Sequence, residues 1–127
     1  MIKFLLVFAS LAGFFAVALG AFGAHGLRGK LSPNLMSAFE TAVQYQATHA
    51  LAILAACVLS VHFGRGIWFQ YAGIGFSIGI ILFSGSLYGL ALTSARWLGP
   101  ITPIGGLFLL AGWALMLVAT IKHVPSH

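Results

Sequence analysis

The spacing of the charged residues constrains this chain more than any other feature. Four uncharged stretches of 24, 24, 30 and 25 residues are bounded by Lys3 and Arg28, Glu40 and Arg65, Arg65 and Arg96, and Arg96 and Lys122. A charge at the middle of a bilayer costs several kcal/mol, so charged residues tend to bound a membrane span. Each stretch exceeds the about 20 residues that a helix needs to cross a hydrocarbon core. The sequence therefore predicts four transmembrane helices.

Composition agrees with this prediction. Hydrophobic residues make up 61% of the chain and charged residues 6%, whereas soluble domains have roughly 45–50% and 25%. We predict an all-α integral membrane protein, a single domain over residues 1–127 in which the four helices form a compact bundle. The helices are expected near residues 4–23, 38–61, 67–92 and 101–121, and an even number of spans puts both termini on the same side.

The basic residues do not orient this bundle in the membrane. They divide three against three, with Lys3, Arg65 and Lys122 on one side and Arg28, Lys30 and Arg96 on the other. The positive-inside rule therefore gives no direction. Because the net charge of +5 is split between two surfaces, nucleic acid is not an expected partner. The first segment also has the look of a secretory signal, with ALGA as its cleavage site, but its length and its stripe of small residues favour a permanent helix.

Small residues recur at helical spacing along several of the predicted helices. On membrane helices such stripes allow backbones to approach closely. We predict helix packing at Gly13, Gly20, Gly75, Gly79 and Gly106. The third helix has two such faces, one with Gln70, Gly73, Ser77, Ser84 and Tyr88, and the opposite one with Gly75, Gly79, Ser86, Gly89 and Thr93. It should therefore lie between neighbouring helices, although Gly75 and Gly79 also have the spacing of a homodimer contact.

The second helix concentrates the polar residues of the chain near its start. On a helical wheel one half holds Glu40, Thr41, Gln44, Tyr45, Thr48 and His49, and the other half holds Val43, Ala50, Ile53, Leu54 and Cys57. Since polar groups avoid lipid, we expect the first half to face the bundle interior and the second half to face lipid. Gln46 falls among the lipid-facing residues, where it would reach the interface or meet another protein.

Glu40, the only acidic residue, has a structural interpretation. Ser37 and Glu40 have the spacing of a capping box at a helix start, and Arg28 or Lys30 would be its ion-pair partner. Alternatively, Ser32 and Pro33 begin the helix earlier, which places Glu40 inside it.

His49 follows Glu40 by nine residues, so it should lie about 13 Å deeper, near the bilayer middle. A histidine there is either a neutral strut bonded to Ser77, Ser84 or Tyr88, part of a proton or ion route, or a cofactor ligand.

Several classes of function have little support in the sequence. One carboxylate does not provide paired acid–base catalysis, and no aspartate orients a Ser-His pair. Cys57 is the only cysteine, which excludes an intrachain disulfide. No histidine pair has the i, i+4 spacing of a helical zinc site. We therefore expect no enzymatic activity, no metal and no cofactor.

Four blocks of the sequence resemble a known family. They are GAFGAHGL (20–27), TAVQYQATHALA (41–52), FSGSLYGLALT (83–93) and LGPITPIGGLFLLAGW (98–113), and they resemble the small bacterial membrane proteins grouped as domain of unknown function 423. The resemblance implies a four-helix protein of the bacterial plasma (inner) membrane without an established activity. The matching positions are Gly23, His25, Gly26, Gln44, Tyr45, His49, Ser84, Ser86, Tyr88, Thr102, Pro103 and Gly106.

Two hypotheses follow for the function. The first is a non-catalytic accessory or assembly subunit that associates with itself or with a larger membrane complex through small-residue faces and Gln46. The second is a small oligomeric transporter or channel with a polar path along the second helix. That path would be lined by Glu40, Gln44, Tyr45 and His49. The whole candidate functional polar cluster comprises His25, Glu40, Gln44, Tyr45, His49, Ser84 and Tyr88.

Overall fold

The chain folds into four helical spans that are long and apolar enough to cross a membrane. The structure, a computed structural model, describes residues 1–63 and 67–126. The spans run over Ile2–Leu27, Pro33–Phe63, Ile67–Thr93 and Arg96–His123. The protein is thus an all-helical integral membrane protein whose two termini lie on the same side. Arg65, predicted to lie on the same side as Lys3 and Lys122, falls outside the described residues.

Two of the spans contain wide turns with π-helical hydrogen bonding. The elements are α1 (Ile2–Phe22) with a π-helical turn at Gly23–Leu27, α2 (Pro33–Phe63), α3 (Ile67–Gly79), a π-helical turn at Ile80–Ser84, α4 (Gly85–Thr93), a 3₁₀ turn at Arg96–Leu98, and α5 (Ile101–His123). Since α3 and α4 belong to one span, the turn between them is a π-bulge within a continuous helix.

The second helix begins at Ser32 and Pro33, as the second of its two predicted starts had it. The Ser32 side-chain oxygen accepts a hydrogen bond from the backbone N–H of Leu35 at 3.3 Å, and Pro33 is the first helical residue. A serine cap followed by proline is a favoured helix start. The capping box at Ser37 was therefore wrong, because Glu40 lies about two turns inside the helix.

The third span lies between its neighbours, as its two small-residue faces predicted. On one face, Gln70 donates to the Ser60 hydroxyl of α2 at 3.3 Å. On the opposite face, a Cβ added at Gly75 would lie 3.2 Å from the Cα of Gly112 in α5. The Gly75 face is therefore occupied by the chain's own last helix, which contradicts the homodimer alternative.

Two backbones approach each other closely at the π-helical turn of the third span. A Cβ added at Gly105 of α5 would overlap the backbone nitrogen of Phe83. The neighbouring Gly106 is less constrained, because its nearest contact would be the Phe83 ring at 3.8 Å. Only one of these two adjacent glycines is needed for packing within the chain.

The apolar core follows the contact between the four spans. Its buried residues come from every span, with Leu5, Ala9, Ala12, Ala50, Ile53, Cys57, Ala72, Phe76, Ile80 and Leu109 among them. A smaller cluster around Leu27, Phe39 and Ala91 closes the end of the bundle where α1 leads into α2. Together they fix the orientation of α2, whose polar residues make the interhelical hydrogen bonds of the candidate site.

Candidate functional site

Gln46 is the centre of a buried hydrogen-bond network. Its side chain is 6% exposed. Its Nε2 donates to the backbone carbonyl of Ala12 at 2.7 Å, and its Oε1 accepts from the Tyr88 hydroxyl at 2.6 Å. One side chain therefore joins the first, second and third spans. The prediction that Gln46 faces lipid was wrong, because a glutamine inside the bundle finds both of its partners there.

The second helix faces the bundle with a different side from the one that the helical wheel predicted. Other residues of α2 therefore also differ from their predicted burial. Cys57 and Ile53, expected to face lipid, are buried. Glu40, Gln44 and Thr48, expected to face inward, are exposed. A helical wheel shows which residues share a face, but the assumption that the more polar half is the inner half failed here. Glu40 and Gln44 lie near the membrane surface, where polar side chains can remain exposed. Gln46 lies deeper and is buried, where it finds hydrogen-bond partners.

His49 is buried, and its contacts determine its tautomer. Its Nδ1 lies 2.8 Å from the carbonyl oxygen of Tyr45, which only accepts, so Nδ1 carries the hydrogen. The indole N–H of Trp113 donates to Nε2 at 3.0 Å, so Nε2 is the unprotonated nitrogen. His49 is thus a neutral strut between α2 and α5. The strut interpretation agrees with this geometry, but its expected partners Ser77, Ser84 and Tyr88 were wrong.

Aromatic rings pack around His49. Its ring centroid lies 5.8 Å from that of Tyr45, 5.5 Å from that of Phe76 and 5.9 Å from that of Trp113. Tyr45 in turn packs on Phe83 at 4.6 Å. A tryptophan is the sequence signal for this cluster. Trp113 lies in the middle of its span, whereas tryptophans of membrane proteins are enriched at the interfaces.

Hydroxyl groups make two further contacts between the spans. The Ser84 hydroxyl donates to the carbonyl of Ala42 in α2 at 2.8 Å, and Ser86 and Thr102 share a hydrogen bond of 2.6 Å between α4 and α5. Ser84 ends the π-helical turn. The buried polar side chains near this turn therefore hold helices together.

The predicted polar cluster consequently divides into two groups. His49, Ser84 and Tyr88 lie inside the bundle, and Gln46 belongs with them. The other group comprises His25, Glu40, Gln44 and Tyr45, which lie on the surface. His25 donates from Nδ1 to the carbonyl oxygen of Ala21 at 3.0 Å and is exposed. The side chains expected to share a polar path therefore do not line one path.

A shallow pocket lies at the end of the bundle where α1 leads into α2. It encloses about 200 Å³, and its polar lining includes Arg28, Glu40 and Gln44, above a floor of small residues that includes Gly20 and Gly23. Within the described ranges, Glu40 has no ion pair shorter than 4 Å. The predicted pairing of Glu40 with Arg28 or Lys30 was therefore wrong, although Arg28 lines the same pocket.

The five predicted packing glycines differ in their surroundings. Gly75 and Gly79 lie against Gly112 and Leu109 of α5, and a Cβ at Gly20 would meet Val43 at 3.4 Å. By contrast, a Cβ at Gly13 would meet nothing within 4 Å, and Gly106 has only ordinary contacts. These last two glycines border grooves on the outer surface.

A groove between α2 and α5 runs along the lipid-facing surface. It measures about 420 Å³ and is lined by Tyr45, His49, Phe83, Pro103, Gly106, Leu107, Leu109, Leu110 and Trp113. Tyr45 is 43% exposed, and its hydroxyl has no hydrogen-bond partner among residues 1–63 and 67–126. In the same described part of the chain, histidine, cysteine and glutamate side chains form no group of three or more that would hold a metal ion.

Comparisons with known proteins identify relatives over nearly the whole chain. Residues 19–106 match the family described as a protein of unknown function, DUF423. The chain is 47% identical over 120 residues to the UPF0382 inner membrane protein YgdD of Escherichia coli K12, covering 94% of this chain and 91% of that protein. It is 45% identical over 122 residues to a UPF0382 membrane protein of Staphylococcus haemolyticus, covering 96% and 98%.

No solved structure matches the chain. The family description and the names of these relatives state no catalytic activity. The matched region begins within α1 and ends in α5, and it includes Gln46, His49, Ser84 and Tyr88. With the four membrane-spanning helices, these matches show that the chain belongs to the DUF423 family of membrane proteins of unknown function.

Proposed function

We propose that this protein is a non-catalytic accessory subunit of the bacterial plasma membrane, which binds a transmembrane helix of a larger membrane complex in the α2–α5 groove. The observation that carries the proposal is the position of Tyr45. Its hydroxyl lies on the outer surface of a membrane span without a partner in the described residues. A neighbouring helix would supply the missing acceptor.

Two features of the groove support a helix as its occupant. Gly106, at its edge, is not needed for packing within the chain, because a Cβ there would make only ordinary contacts. A glycine on a membrane surface allows another backbone to approach closely. Thr48 lies beside the groove and not in its lining. It is one turn from Tyr45 on α2, is exposed, and also has no hydrogen bond with the described residues. The glycine allows a helix to approach closely, and the hydroxyl groups offer it hydrogen bonds. Acyl chains cannot use either feature, so a helix is the better occupant of the groove.

The interior of the bundle supports an assembly role over transport. The amide of Gln46 is bonded to Ala12 and Tyr88, and both His49 nitrogens are bonded to Tyr45 and Trp113. The bonds of Gln46 and the bond from Trp113 join helices, and the bond to Tyr45 lies within α2. A transported solute would have to break them, whereas an accessory role leaves them intact.

Site-specific photocrosslinking tests the proposal. A photoreactive phenylalanine derivative is placed at Tyr45 in the tagged full-length protein, in its own membrane. The control position is Phe15, an aromatic residue of α1 that is 50% exposed. We expect a crosslink to one other membrane protein from position 45 and none to that protein from position 15. Crosslinks from position 45 only to lipid, or only to a second copy of the chain, would contradict the proposed partner.

A pair of glycine variants tests the groove independently. Gly106→Leu fills its edge, and Gly85→Leu is the matched control, because Gly85 is exposed and a Cβ there meets nothing within 4 Å. We expect the co-purifying protein to be lost from Gly106→Leu alone, with both variants folded. Equal co-purification with both variants would show that the groove is not the binding surface.

A further inference from the structure

A second groove lies between α1 and α2, apart from the surface proposed to bind a partner helix. Its upper part is the pocket that contains Arg28 and Glu40. Its lower part encloses about 470 Å³ and is lined by Ala9, Ser10, Gly13, Phe14, Ala16, Val17, Ala47, Ala50, Leu51 and Leu54. On a helix of 3.6 residues per turn, Glu40, Ala47 and Leu54 follow one another along one side of α2. The two parts share no lining residue, but they follow one another along the same side of the bundle.

We propose that this α1–α2 groove binds one zwitterionic glycerophospholipid, with its phosphate at Arg28, its ammonium at Glu40 and one acyl chain in the lower part. Charge complementarity identifies the headgroup. The upper pocket brings one cation and the only acidic residue of the chain together, yet no ion pair shorter than 4 Å joins Glu40 to the described residues. A headgroup with one positive and one negative group satisfies both side chains.

The same charges disfavour an anionic lipid. The phosphate of phosphatidylglycerol would pair with Arg28, but its glycerol headgroup is uncharged and offers no cation to Glu40. Phosphatidylethanolamine provides an ammonium with three N–H donors, which suits a carboxylate. The pocket should therefore distinguish the two lipids through Glu40.

The dimensions of the groove fit a lipid. From Glu40 to Leu54, fourteen residues of α2 extend about 21 Å. The hydrocarbon of one leaflet is about 15 Å deep, half of the about 30 Å core. The groove is thus long enough for a headgroup and one acyl chain of a single leaflet.

The lower part of the α1–α2 groove is open where Gly13 lies, because glycine has no side chain to fill it. A Cβ added at Gly13 would meet nothing within 4 Å, so packing within the chain does not require this glycine. Leucine at position 13 would extend into the groove without displacing another helix. This gives a variant that blocks the acyl chain and leaves the fold intact.

Native mass spectrometry of the full-length protein in mild detergent tests the proposal. The probes are phosphatidylethanolamine and phosphatidylglycerol with identical acyl chains, added at equal concentrations. We expect one phosphatidylethanolamine per chain, preferred about fivefold, because an exposed charge contact contributes at most about 1 kcal/mol. Glu40→Gln keeps the size of the side chain and should abolish the preference. Gly13→Leu should lower the binding of both lipids, and Gly85→Leu should change neither.

Each alternative result would overturn the assignment. Equal binding of the two lipids by the unaltered protein, or a preference that survives Glu40→Gln, would remove the role of the carboxylate. Lipid binding unchanged by Gly13→Leu would place the lipid elsewhere on the surface. A mass corresponding to a second protein bound in the groove, lost with Gly13→Leu, would show that a helix is the occupant. None of these results bears on Tyr45 or Gly106, so the proposed function is tested separately.

Discussion

The indole N–H of Trp113 donates a hydrogen bond of 3.0 Å to Nε2 of His49. The bond joins the second span to the last one across 64 residues of sequence. Because the other nitrogen of His49 is bonded to the carbonyl oxygen of Tyr45, the imidazole is held in one orientation and one tautomer. In this geometry His49 is neutral and makes one hydrogen bond as a donor, through Nδ1, and one as an acceptor, through Nε2.

Removing the indole donor should release this strut. Trp113→Phe keeps an aromatic ring but leaves Nε2 of His49 unpaired, so we expect a loss of about 1 kcal/mol of unfolding free energy. Nitrogen NMR of histidine-labelled protein should show His49 as the Nδ1–H tautomer, with an Nε2 shift that changes in this variant. Trp97→Phe is the control, because Trp97 is 70% exposed. A His49 signal of the Nε2–H tautomer would contradict the hydrogen-bond assignment.

The Gln46 network predicts unequal effects for two glutamines of the same helix. Gln46→Ala removes the bonds to Ala12 and Tyr88 and leaves the Tyr88 hydroxyl without its acceptor, which should destabilise the fold by about 1–3 kcal/mol. Gln44→Ala should change stability by less than about 0.5 kcal/mol, because Gln44 is exposed and has no hydrogen bond in the described part of the chain. Thermal unfolding in mild detergent measures both. Equal losses would contradict the orientation of α2.

The coupling between Gln46 and Tyr88 can be measured directly. Tyr88→Phe alone removes the 2.6 Å hydrogen bond, and adding Gln46→Ala then removes nothing more from that bond. The double variant should therefore be less destabilised than the sum of the two single variants. Strict additivity would show that the two side chains do not interact.

Alanine substitutions at the adjacent glycines Gly105 and Gly106 of α5 should have different effects on the stability of the protein. Gly105→Ala forces a Cβ into the backbone of the third span at Phe83, and overpacking of this kind costs about 1–3 kcal/mol or more. Gly106→Ala meets only the Phe83 ring at 3.8 Å and should be neutral or stabilising by up to about 1 kcal/mol, because alanine favours a helix over glycine. The unfolding temperatures of both variants give the comparison. Equal temperatures would disprove the close backbone contact.

The reactivity of Cys57 tests which side of α2 faces the bundle interior. Cys57 is 2% exposed, so maleimide should fail to label it in mild detergent and should label it once the protein is unfolded. For comparison, Val58→Cys in a Cys57→Ala background places the thiol at a residue that is 63% exposed, where we expect labelling of the folded protein. Rapid labelling of Cys57 in the folded protein would restore the lipid-facing position that its sequence pattern suggested.

The sequence was sufficient to predict the four spans and the central position of the third one. Membrane insertion depends on the local balance of apolar and charged residues, so the distances between Lys3, Arg28, Glu40 and the later charges determine it. Small residues at helical spacing likewise indicated which faces of the third span meet other helices. Both features are properties of one segment and need no knowledge of its neighbours.

Tertiary structure alone decided which side of α2 faces inward. The partners of Gln46 lie 34 and 42 residues away, at Ala12 and Tyr88, and no local pattern shows that they meet it. The wheel of α2 therefore placed Gln46 and Cys57 towards lipid, and packing against three other spans reversed that placement. The energy of a buried amide depends on whether distant chain segments supply its partners. That is why the spans of this protein are encoded locally, whereas its buried polar network exists only in the assembled bundle.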